Sequence, residues 1–370
     1  MTRRVKRVVV KVGSSTLTDG SGCLDRAYIA SLVSQIAELK SGGCEVVLVT
    51  SGSIRAGMER MELTVRPRTI PEQQAAAAIG QGLLMAMYAD LFNAHGLTVG
   101  QVLLTKEDLG HRKRFLNARN TMLTLLRRGA VPIVNENDTV AVDEIRVGDN
   151  DNLAALVASS LQAGTLIILS DVPGLCDSDP GKCEDAKVIP VVERINPAIY
   201  EMAGGTRGIS GTGGMRTKIE AAEVAVNSGV TMHIADGRRP AVLADILAGK
   251  QVGTKFLPVA GRLRSRKRWI AFGAACRGSI TVNDGAREKI LDGGKSLLAA
   301  GITGLQGSFS GGDLVRVLDG RGNQFARGLV NYSADEIEKI KGKRSSDIEA
   351  ILGYKDFDEV IHRDNLVLGV

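Results

Sequence analysis

The sequence predicts an α/β protein with an open, mostly parallel β-sheet sandwiched by helices, followed by a small β-rich domain. In roughly the first 258 residues, short β-branched runs alternate with longer segments whose apolar residues recur at helical spacing. Such alternation indicates a mostly parallel sheet covered by helices on both faces. Beyond Pro258, shorter apolar runs are separated by Gly-rich turns, a pattern typical of a small β domain.

Each predicted element of the larger domain follows from hydrophobic periodicity and from the turn residues that bound it. Strands are expected at residues 5–12, 45–50, 98–104, 130–134, 165–170 and 230–235. Helices are expected at residues 26–40, 73–95, 115–128, 152–162 and 215–227. Residues 139–147 alternate less strictly and predict an exposed strand or hairpin beside the main sheet. In the β-rich domain, strands are expected at residues 278–282, 313–318 and 325–332.

The distribution of charge marks the expected domain boundary. The chain has 47 basic and 41 acidic residues, which gives a net charge of +6. One segment without acids accounts for that excess through Arg262, Arg264, Arg266, Lys267, Arg268 and Arg277. A solvated linker is favoured over a contact with a polyanion. We therefore divide the chain into a domain at residues 1–258, a basic linker at 259–276, a β-rich domain at 277–355 and a C-terminal tail at 356–370.

Composition excludes several classes of protein. No run of about 18 consecutive apolar residues occurs, and the N-terminal apolar run is too short for a signal peptide, so we expect a cytoplasmic protein. The cysteines form no CxxC pair, so neither a disulfide framework nor a zinc site is expected. The four histidines have no acid or cysteine at ligand spacing, which leaves metal-ligand and Ser/His/Asp hypotheses with little support. No metal site is predicted from protein ligands.

The turns that follow the strands are the first places to search for a ligand site, because open parallel sheets bind ligands at their carboxyl ends. Lys11, Ser51 and the pair Ser170-Asp171 each lie where a predicted strand ends. Each turn alone is explained equally well as a tight turn. Lys11 strengthens the case for a ligand site, because burying a lysine in a strand is costly without an anionic partner. Residues 204–218 add a Gly-rich loop that leads into a helix with Lys218 in its first turn, which favours anion binding.

A polar stretch between a predicted strand and a predicted helix forms the second candidate region. It contains residues 135–138 (Asn-Glu-Asn-Asp) and residues 148–153 (Gly-Asp-Asn-Asp-Asn-Leu). Helix capping by Asp149 or Asn150 explains one of these residues. A ligand role explains more of them, because carboxylates accept from an ammonium group and amide NH2 groups donate to carboxylates. This stretch therefore predicts recognition of an amino acid.

Taken in order, these motifs resemble the amino acid kinase family. The resemblance covers about the first 258 residues and is carried by residues 11–15 (KVGSS), 51–53 (SGS), 74–81 (QAAAAIGQ), 135–138 (NEND), 148–153 (GDNDNL) and 211–218 (GTGGMRTK). Residues 277–355 resemble a PUA domain. The two resemblances together define the class of protein more specifically than either one alone.

The resemblance implies phosphoryl transfer from ATP, with its Mg²⁺, to the side-chain carboxylate of L-glutamate, the first step of proline biosynthesis. It also implies a role for each matching residue. Lys11 and Lys218 would hold the transferring phosphoryl group, and Asp151 would orient the lysines. Glutamate would be bound by Ser51, Asn137, Asp138 and Asn150. ATP would be bound by Lys11, Ser170, Asp171, Thr212, Gly213, Gly214, Met215, Arg216, Thr217 and Lys218.

Further properties of the family, and two alternatives, stay open at this point. The resemblance implies feedback inhibition by proline and assembly into a homo-oligomer. The alternative within the fold is a kinase for another acceptor, such as aspartate, acetylglutamate or UMP. An acceptor with a free ammonium is favoured by Asn137, Asp138 and Asn150. The alternative from another class is an RNA-binding protein, suggested by the PUA-like domain and the basic linker, and RNA remains a possible partner of that domain.

Overall fold

The computed structural model describes residues 6–105, 108–109, 112–140, 149–178, 183, 185–204, 214–259 and 276–369. The chain divides into two compact units, Met1–Arg262 and Leu263–Val370. The hairpin expected at residues 139–147 lies almost entirely outside the described residues, as does nearly all of the basic linker expected at 259–276.

An eight-stranded sheet forms the centre of the first unit, in the order β3-β4-β2-β1-β5-β7-β8-β6. Neighbouring strands are parallel except for the antiparallel pair β7 and β8. The strands are β1 (Arg7–Val12), β2 (Glu45–Val49), β3 (Val99–Leu104), β4 (Val131–Glu136), β5 (Thr165–Ser170), β6 (Val191–Val192), β7 (Thr231–Asp236) and β8 (Thr254–Phe256). The predicted, mostly parallel sheet is confirmed, whereas the short strands β6 and β8 were not predicted.

Helices cover both faces of this sheet, as predicted. They are α1 (Ser14–Leu17), α2 (Arg26–Ser41), α3 (Ser53–Arg60), α4 (Ile70–Asn93), α5 (Arg112–Arg127), α6 (Asp149–Leu161), α7 (Pro197–Ala203), α8 (Met215–Asn227) and α9 (Val242–Leu247). Successive side chains of β1 enter opposite cores, because a strand points alternate residues to opposite faces. Val9 packs with residues of α6 and α8, whereas Val8 and Val10 pack with residues of α2 and α4.

The helices α3 and α4 cross with their backbones in contact. A Cβ atom added at Gly57 of α3 would overlap the carbonyl oxygen of Ala76, and one added at Gly80 of α4 would overlap the carbonyl oxygen of Ser53. Only glycine therefore permits this crossing. The crossing of the two helices holds the start of α3 beside the carboxyl end of β2. The sequence did not predict α3.

Helix α4 is also long and apolar enough, by length and composition, to cross a membrane. Its side chains Leu84, Tyr88 and Phe92 are fully buried in the core of the first unit. One face of α4 therefore packs into the core of the first unit.

The second unit contains a five-stranded sheet in the order β10-β9-β11-β12-β13. Its elements are β9 (Gly278–Val282), α10 (Asp284–Leu291), β10 (Ile302–Gly307), β11 (Leu314–Leu318), β12 (Gln324–Leu329), α11 (Ala334–Ile340), α12 (Ile348–Leu352) and β13 (Leu366–Leu368). Residues 356–370, expected as a tail, supply β13 and place Val360, Ile361 and Leu366 in this unit's core. Strand β13 is only three residues long, which is too short to give a clear pattern in the sequence.

Candidate active site

The carboxyl ends of four neighbouring strands, β4, β2, β1 and β5, carry several of the predicted site residues. Lys11 lies near the end of β1, Ser51 follows β2, Asp138 follows β4, and Ser170 ends β5. The first turns of α6 and α8 add side chains at the same edge of the sheet. This is the edge at which open parallel sheets bind ligands.

Asp151 of α6 holds two lysines from different elements. Its Oδ1 lies 2.6 Å from Nζ of Lys11, and its Oδ2 lies 3.2 Å from Nζ of Lys218. Oδ2 also accepts a hydrogen bond from Oγ1 of Thr217 at 3.2 Å. Asp151 is fully buried, and the two lysines are 5% and 7% exposed. The structure thus brings together the three residues that the resemblance assigns to phosphoryl transfer.

The opposite charges of Asp151 and the two lysines favour the ionised form of each other. Burial alone would raise the pKa of Asp151, but Lys11 and Lys218 outweigh it and hold that pKa below its ordinary value. Burial lowers the pKa of Lys11, and Lys218 lowers it further, while Asp151 opposes both. Asp151 is therefore ionised at neutral pH and already engaged by two cations, which leaves it unsuited to act as a general base.

The position of Asp151 depends on where α6 begins. The helix starts at Asp149, three residues before the predicted start, so Asn150 and Asp151 lie in its first turn. Asn150 consequently faces the carboxyl ends of β2 and β4 and does not serve as the cap of a helix beginning at Asn152.

A network of amides and hydroxyls surrounds Asn150. Its Nδ2 donates to Oγ of Ser51 at 2.8 Å, to the carbonyl oxygen of Thr50 at 3.2 Å and to Oδ1 of Asn135 at 3.2 Å. Nδ2 of Asn135 in turn donates to Oε1 of Gln81 at 2.8 Å. Oδ1 of Asn150 and Nε2 of Gln81 are buried without a hydrogen-bond partner among the described residues. An unpartnered buried acceptor and donor suit a ligand that carries both an ammonium and a carboxylate.

Asp138 occupies the next position along this edge. It is 9% exposed, and its Oδ2 accepts a hydrogen bond from Oγ of Ser53 at 2.9 Å. Asn137 is half-buried, and its Oδ1 accepts from Oγ1 of Thr139 at 2.6 Å. Asp138 is thus held by the start of α3, whereas the Asn137 side chain contacts a residue close to it in the chain.

Ser170 and Asp171, which are expected to bind ATP, lie at the end of β5, the neighbour of β1 on the side away from β2. Ser170 is buried, and its Oγ donates to Oδ1 of the exposed Asp171 at 3.1 Å. Gly214 caps α8, and Met215 packs against the core. Arg216 is exposed and pairs with Glu220 at 3.3 Å, so its side chain is turned to solvent. Thr212 and Gly213 lie outside the described residues.

Gly13 leaves room for an anion next to Lys11. A Cβ atom at this position would lie 3.4 Å from Nζ of Lys11, in van der Waals contact with the ammonium group. A glycine here keeps the ammonium approachable, which fits a phosphate oxygen. Among the described residues, no group of three or more His, Cys, Asp or Glu side chains is arranged to hold a metal ion.

Three residues of this site were not assigned from sequence. Asn135, Ser53 and Gln81 lie inside motifs that the sequence analysis quoted, yet each takes a place in the network through a partner remote in the chain. Asn135 is 1% exposed and follows four buried apolar residues of β4. A buried asparagine in such a strand is the signal that sequence offers for it.

Comparison with known proteins defines the class to which this fold and site belong. A sequence model described as the amino acid kinase family matches residues 6–236, and one described as the PUA domain matches residues 278–352. The chain belongs to the amino acid kinase family, with a PUA domain after the kinase domain. Its fold is shared with carbamate kinase from Giardia lamblia bound to AMP-PNP (TM-score 0.52, 18% identity, covering 69% of this chain and 99% of that one).

Full-length relatives narrow the comparison to glutamate 5-kinases. The glutamate 5-kinase of Caldanaerobacter subterraneus subsp. tengcongensis is 53% identical over 362 residues, which cover 98% of this chain and 97% of the relative. That of Syntrophotalea carbinolica is 52% identical over 365 residues, covering 99% of this chain and 98% of the relative. The predicted family and fold are confirmed.

Proposed function

We propose that this protein transfers the γ-phosphoryl group of ATP to the side-chain carboxylate of L-glutamate, the first step of proline biosynthesis. The observation that carries the proposal is the buried contact of Asp151 with Lys11 and Lys218. The full-length similarity to glutamate 5-kinases supports the choice of acceptor.

The reaction places an anionic nucleophile against an anionic phosphoryl group. A glutamate side chain has a pKa of about 4.3, so the acceptor is already ionised at pH 7 and needs no general base. The reaction needs positive charge along the line of attack, which Lys11 and Lys218 supply in a dry setting. Asp151 holds the two ammonium groups in place, and Mg²⁺ carried by ATP supplies further positive charge. The bond from the γ-phosphorus to ADP breaks as the bond to the carboxylate oxygen forms.

Each remaining residue of the site has a binding role in this proposal. Asp138 accepts from the substrate ammonium, while the amides of Asn150 and Asn137 and the hydroxyl of Ser51 fix the rest of the amino acid. The nucleotide is held by Lys11, Ser170 and Asp171 and by the loop and helix start that contain Thr212, Gly213, Gly214, Met215, Arg216, Thr217 and Lys218. Support comes from the placement of the described members of this set at one edge of the sheet.

Properties beyond the reaction are also proposed. Residues 1–258 form the catalytic domain, and the PUA domain at 277–355 is regulatory or binds RNA. Arg316 of β11 and Arg327 of β12 lie directly opposite each other, which favours an anionic partner for that domain. Proline acts as a feedback inhibitor in the cytoplasm. A homo-oligomer is supported by apolar side chains exposed on α4, including Ile79 (43%) and Leu83 (41%).

A single assay separates these functions. The purified protein is incubated with ATP, Mg²⁺ and hydroxylamine, which converts an acyl phosphate into a coloured hydroxamate. L-Glutamate is compared with L-aspartate, N-acetyl-L-glutamate and UMP, and ADP release is recorded for each. Hydroxamate formation with glutamate well above the others is expected. Preference for another acceptor would replace the substrate assignment, and the absence of turnover with all four would favour an RNA-binding protein.

A further inference from the structure

Two polar side chains of α4 contact the ends of neighbouring strands in the site, and the proposed function gives neither of them a role. Gln81 and Tyr88 lie about two helical turns apart and therefore share one face of α4. Oε1 of Gln81 accepts a hydrogen bond from Nδ2 of Asn135, in β4, at 2.8 Å. The hydroxyl of Tyr88 lies 2.9 Å from Oγ1 of Thr50, which follows β2. One helix face thus contacts both strand ends.

These two strand ends hold the amide of Asn150. Its Nδ2 donates to the carbonyl oxygen of Thr50, to Oδ1 of Asn135 and to Oγ of Ser51. A carbonyl oxygen can only accept, so the contact with Thr50 fixes which end of the amide is the nitrogen. Oδ1 of Asn150 therefore lies on the other side of the amide group, where it has no partner among the described residues.

The orientation of Asn135 is fixed by a second backbone group and depends on Gln81. Oδ1 of Asn135 accepts from the backbone N–H of Glu136 at 2.9 Å, so its Nδ2 must be the atom that faces Gln81. Asn135 is 1% exposed, and a donor so deeply buried needs an acceptor. Without Oε1 of Gln81, the Asn135 amide would lose the partner that holds its Oδ1 toward Asn150.

Tyr88 supports the other strand end in the same way. Oγ1 of Thr50 donates its one proton to the carbonyl oxygen of Ser51 at 3.0 Å, so the hydroxyl of Tyr88 is the donor in their contact. Tyr88 and Thr50 are both fully buried. The phenol is thereby bonded to the residue whose carbonyl oxygen accepts from Asn150. Both supports of the Asn150 amide are thus held from α4.

We infer that Gln81 and Tyr88 are positioning residues, which orient Asn150 so that its Oδ1 accepts a hydrogen bond from the ammonium of the amino-acid substrate. The inference rests on the proposed function and places the amide of Asn150 beside Asp138 at that ammonium. With both carboxylates ionised, the ammonium carries all the polar N–H donors of glutamate. It is therefore the group from which Oδ1 of Asn150 can accept, and its three N–H bonds suffice for both side chains.

The test compares L-glutamate with glutarate, which keeps both carboxylates and lacks the ammonium. Full-length wild type, Gln81→Met and Tyr88→Phe are assayed by hydroxamate formation, with glutarate as a competitive inhibitor against glutamate. Gln73→Met is the first matched control, because Gln73 is a half-buried glutamine of α4 that donates to the carbonyl oxygen of Pro67. Tyr28→Phe is the second, because it removes a buried hydroxyl without a partner among the described residues. Thermal unfolding confirms that each variant is folded.

The loss of one neutral hydrogen bond from the support of Asn150 should raise the glutamate KM by about 3- to 10-fold in Gln81→Met and in Tyr88→Phe. The kcat and the ATP KM should change little, because the contact with the ammonium is made in the ground state and in the transition state alike. The inhibition constant of glutarate should stay at its wild-type value, since glutarate has no ammonium. Gln73→Met and Tyr28→Phe should keep all the wild-type constants.

A wild-type glutamate KM in folded Gln81→Met or Tyr88→Phe would overturn the role of that residue and leave the proposed function intact. A glutarate inhibition constant that rises as much as the glutamate KM would overturn the inference, because a general disturbance of the site weakens both ligands. A wild-type protein that does not phosphorylate glutamate would overturn the proposed function and the inference together.

Discussion

The carboxylate of Asp151 and the ammonium of Lys11 lie 2.6 Å apart, and both side chains are almost completely shielded from water. A buried ion pair of this kind contributes little net stability when intact, because desolvation offsets the attraction. Removing one partner, however, leaves an uncompensated charge.

Asp151→Asn should therefore impair both stability and activity. The substitution keeps the shape of the side chain but leaves Lys11 and Lys218 facing each other without an anion, so the free energy of unfolding should fall by about 3 kcal/mol or more. Urea unfolding at pH 7 measures this loss. Asp245→Asn is the matched control, because Asp245 pairs with two exposed cations, and exposed pairs of that kind change stability little. Equal free energies of unfolding for the two variants would show that Lys11 and Lys218 do not destabilise the fold when the charge of Asp151 is removed.

Asp138→Ala should act on substrate binding. A contact with the substrate ammonium is made in the ground state and in the transition state alike, so its loss raises the glutamate KM and leaves the ATP KM little changed. Steady-state kinetics with each substrate varied in turn measures both constants. Ser53→Ala, which removes the hydroxyl that donates to Asp138, should shift the same constant in the same direction by a smaller factor. Equal losses for both substrates would indicate a disturbed fold.

The sequence predicted the architecture well because hydrophobic periodicity reports which face of an element is buried. Strand β5 and helix α8 have the predicted bounds. Helix α3 escaped prediction, because three of its four buried residues, Ser53, Ala56 and Gly57, are small and give no repeating apolar pattern. The pairing of Asp151 with both lysines is a long-range relationship that spacing along the chain does not encode.

His233 should make stability depend on pH. Burial, together with the nearby Lys255, lowers the pKa of His233 to about 4 from an ordinary 6.5, and its Nδ1 has no hydrogen-bond partner among the described residues. Above pH 6.5 neither state binds the proton. Between pH 6.5 and 4 the unfolded state binds the proton and the folded state does not. The free energy of unfolding therefore decreases by about 3 kcal/mol as the pH is lowered from 6.5 to 4.

The matching experiment measures the free energy of unfolding from pH 7 to pH 4.5 for wild type, His233→Gln and His95→Gln. His233→Gln should flatten the profile in this range, whereas the exposed His95 should not affect it. A wild-type slope retained in His233→Gln would assign the acid sensitivity to other groups.

A fragment ending at residue 259 should still phosphorylate glutamate. All residues proposed for chemistry, from Lys11 to Lys218, lie in the first unit, and the backbone N–H of Val259 still donates to the carbonyl oxygen of Val226 there. The fragment, once circular dichroism shows that it is folded, is assayed with glutamate and ATP. We expect measurable turnover with an altered response to proline or altered assembly. A folded fragment without any turnover would mean that the PUA domain completes the active site.

The kinetics of Lys218→Ala test the central claim most directly, because that claim makes the cations held by Asp151 agents of phosphoryl transfer. A charge that matches the transferring group acts chiefly in the transition state, so kcat should fall by about 100-fold or more while the glutamate KM changes little. Lys250→Ala, which removes an exposed lysine paired with Asp245, serves as the control and should keep wild-type kinetics. The account predicts the large fall in kcat for Lys218→Ala alone, and an unchanged kcat in that folded variant would contradict it.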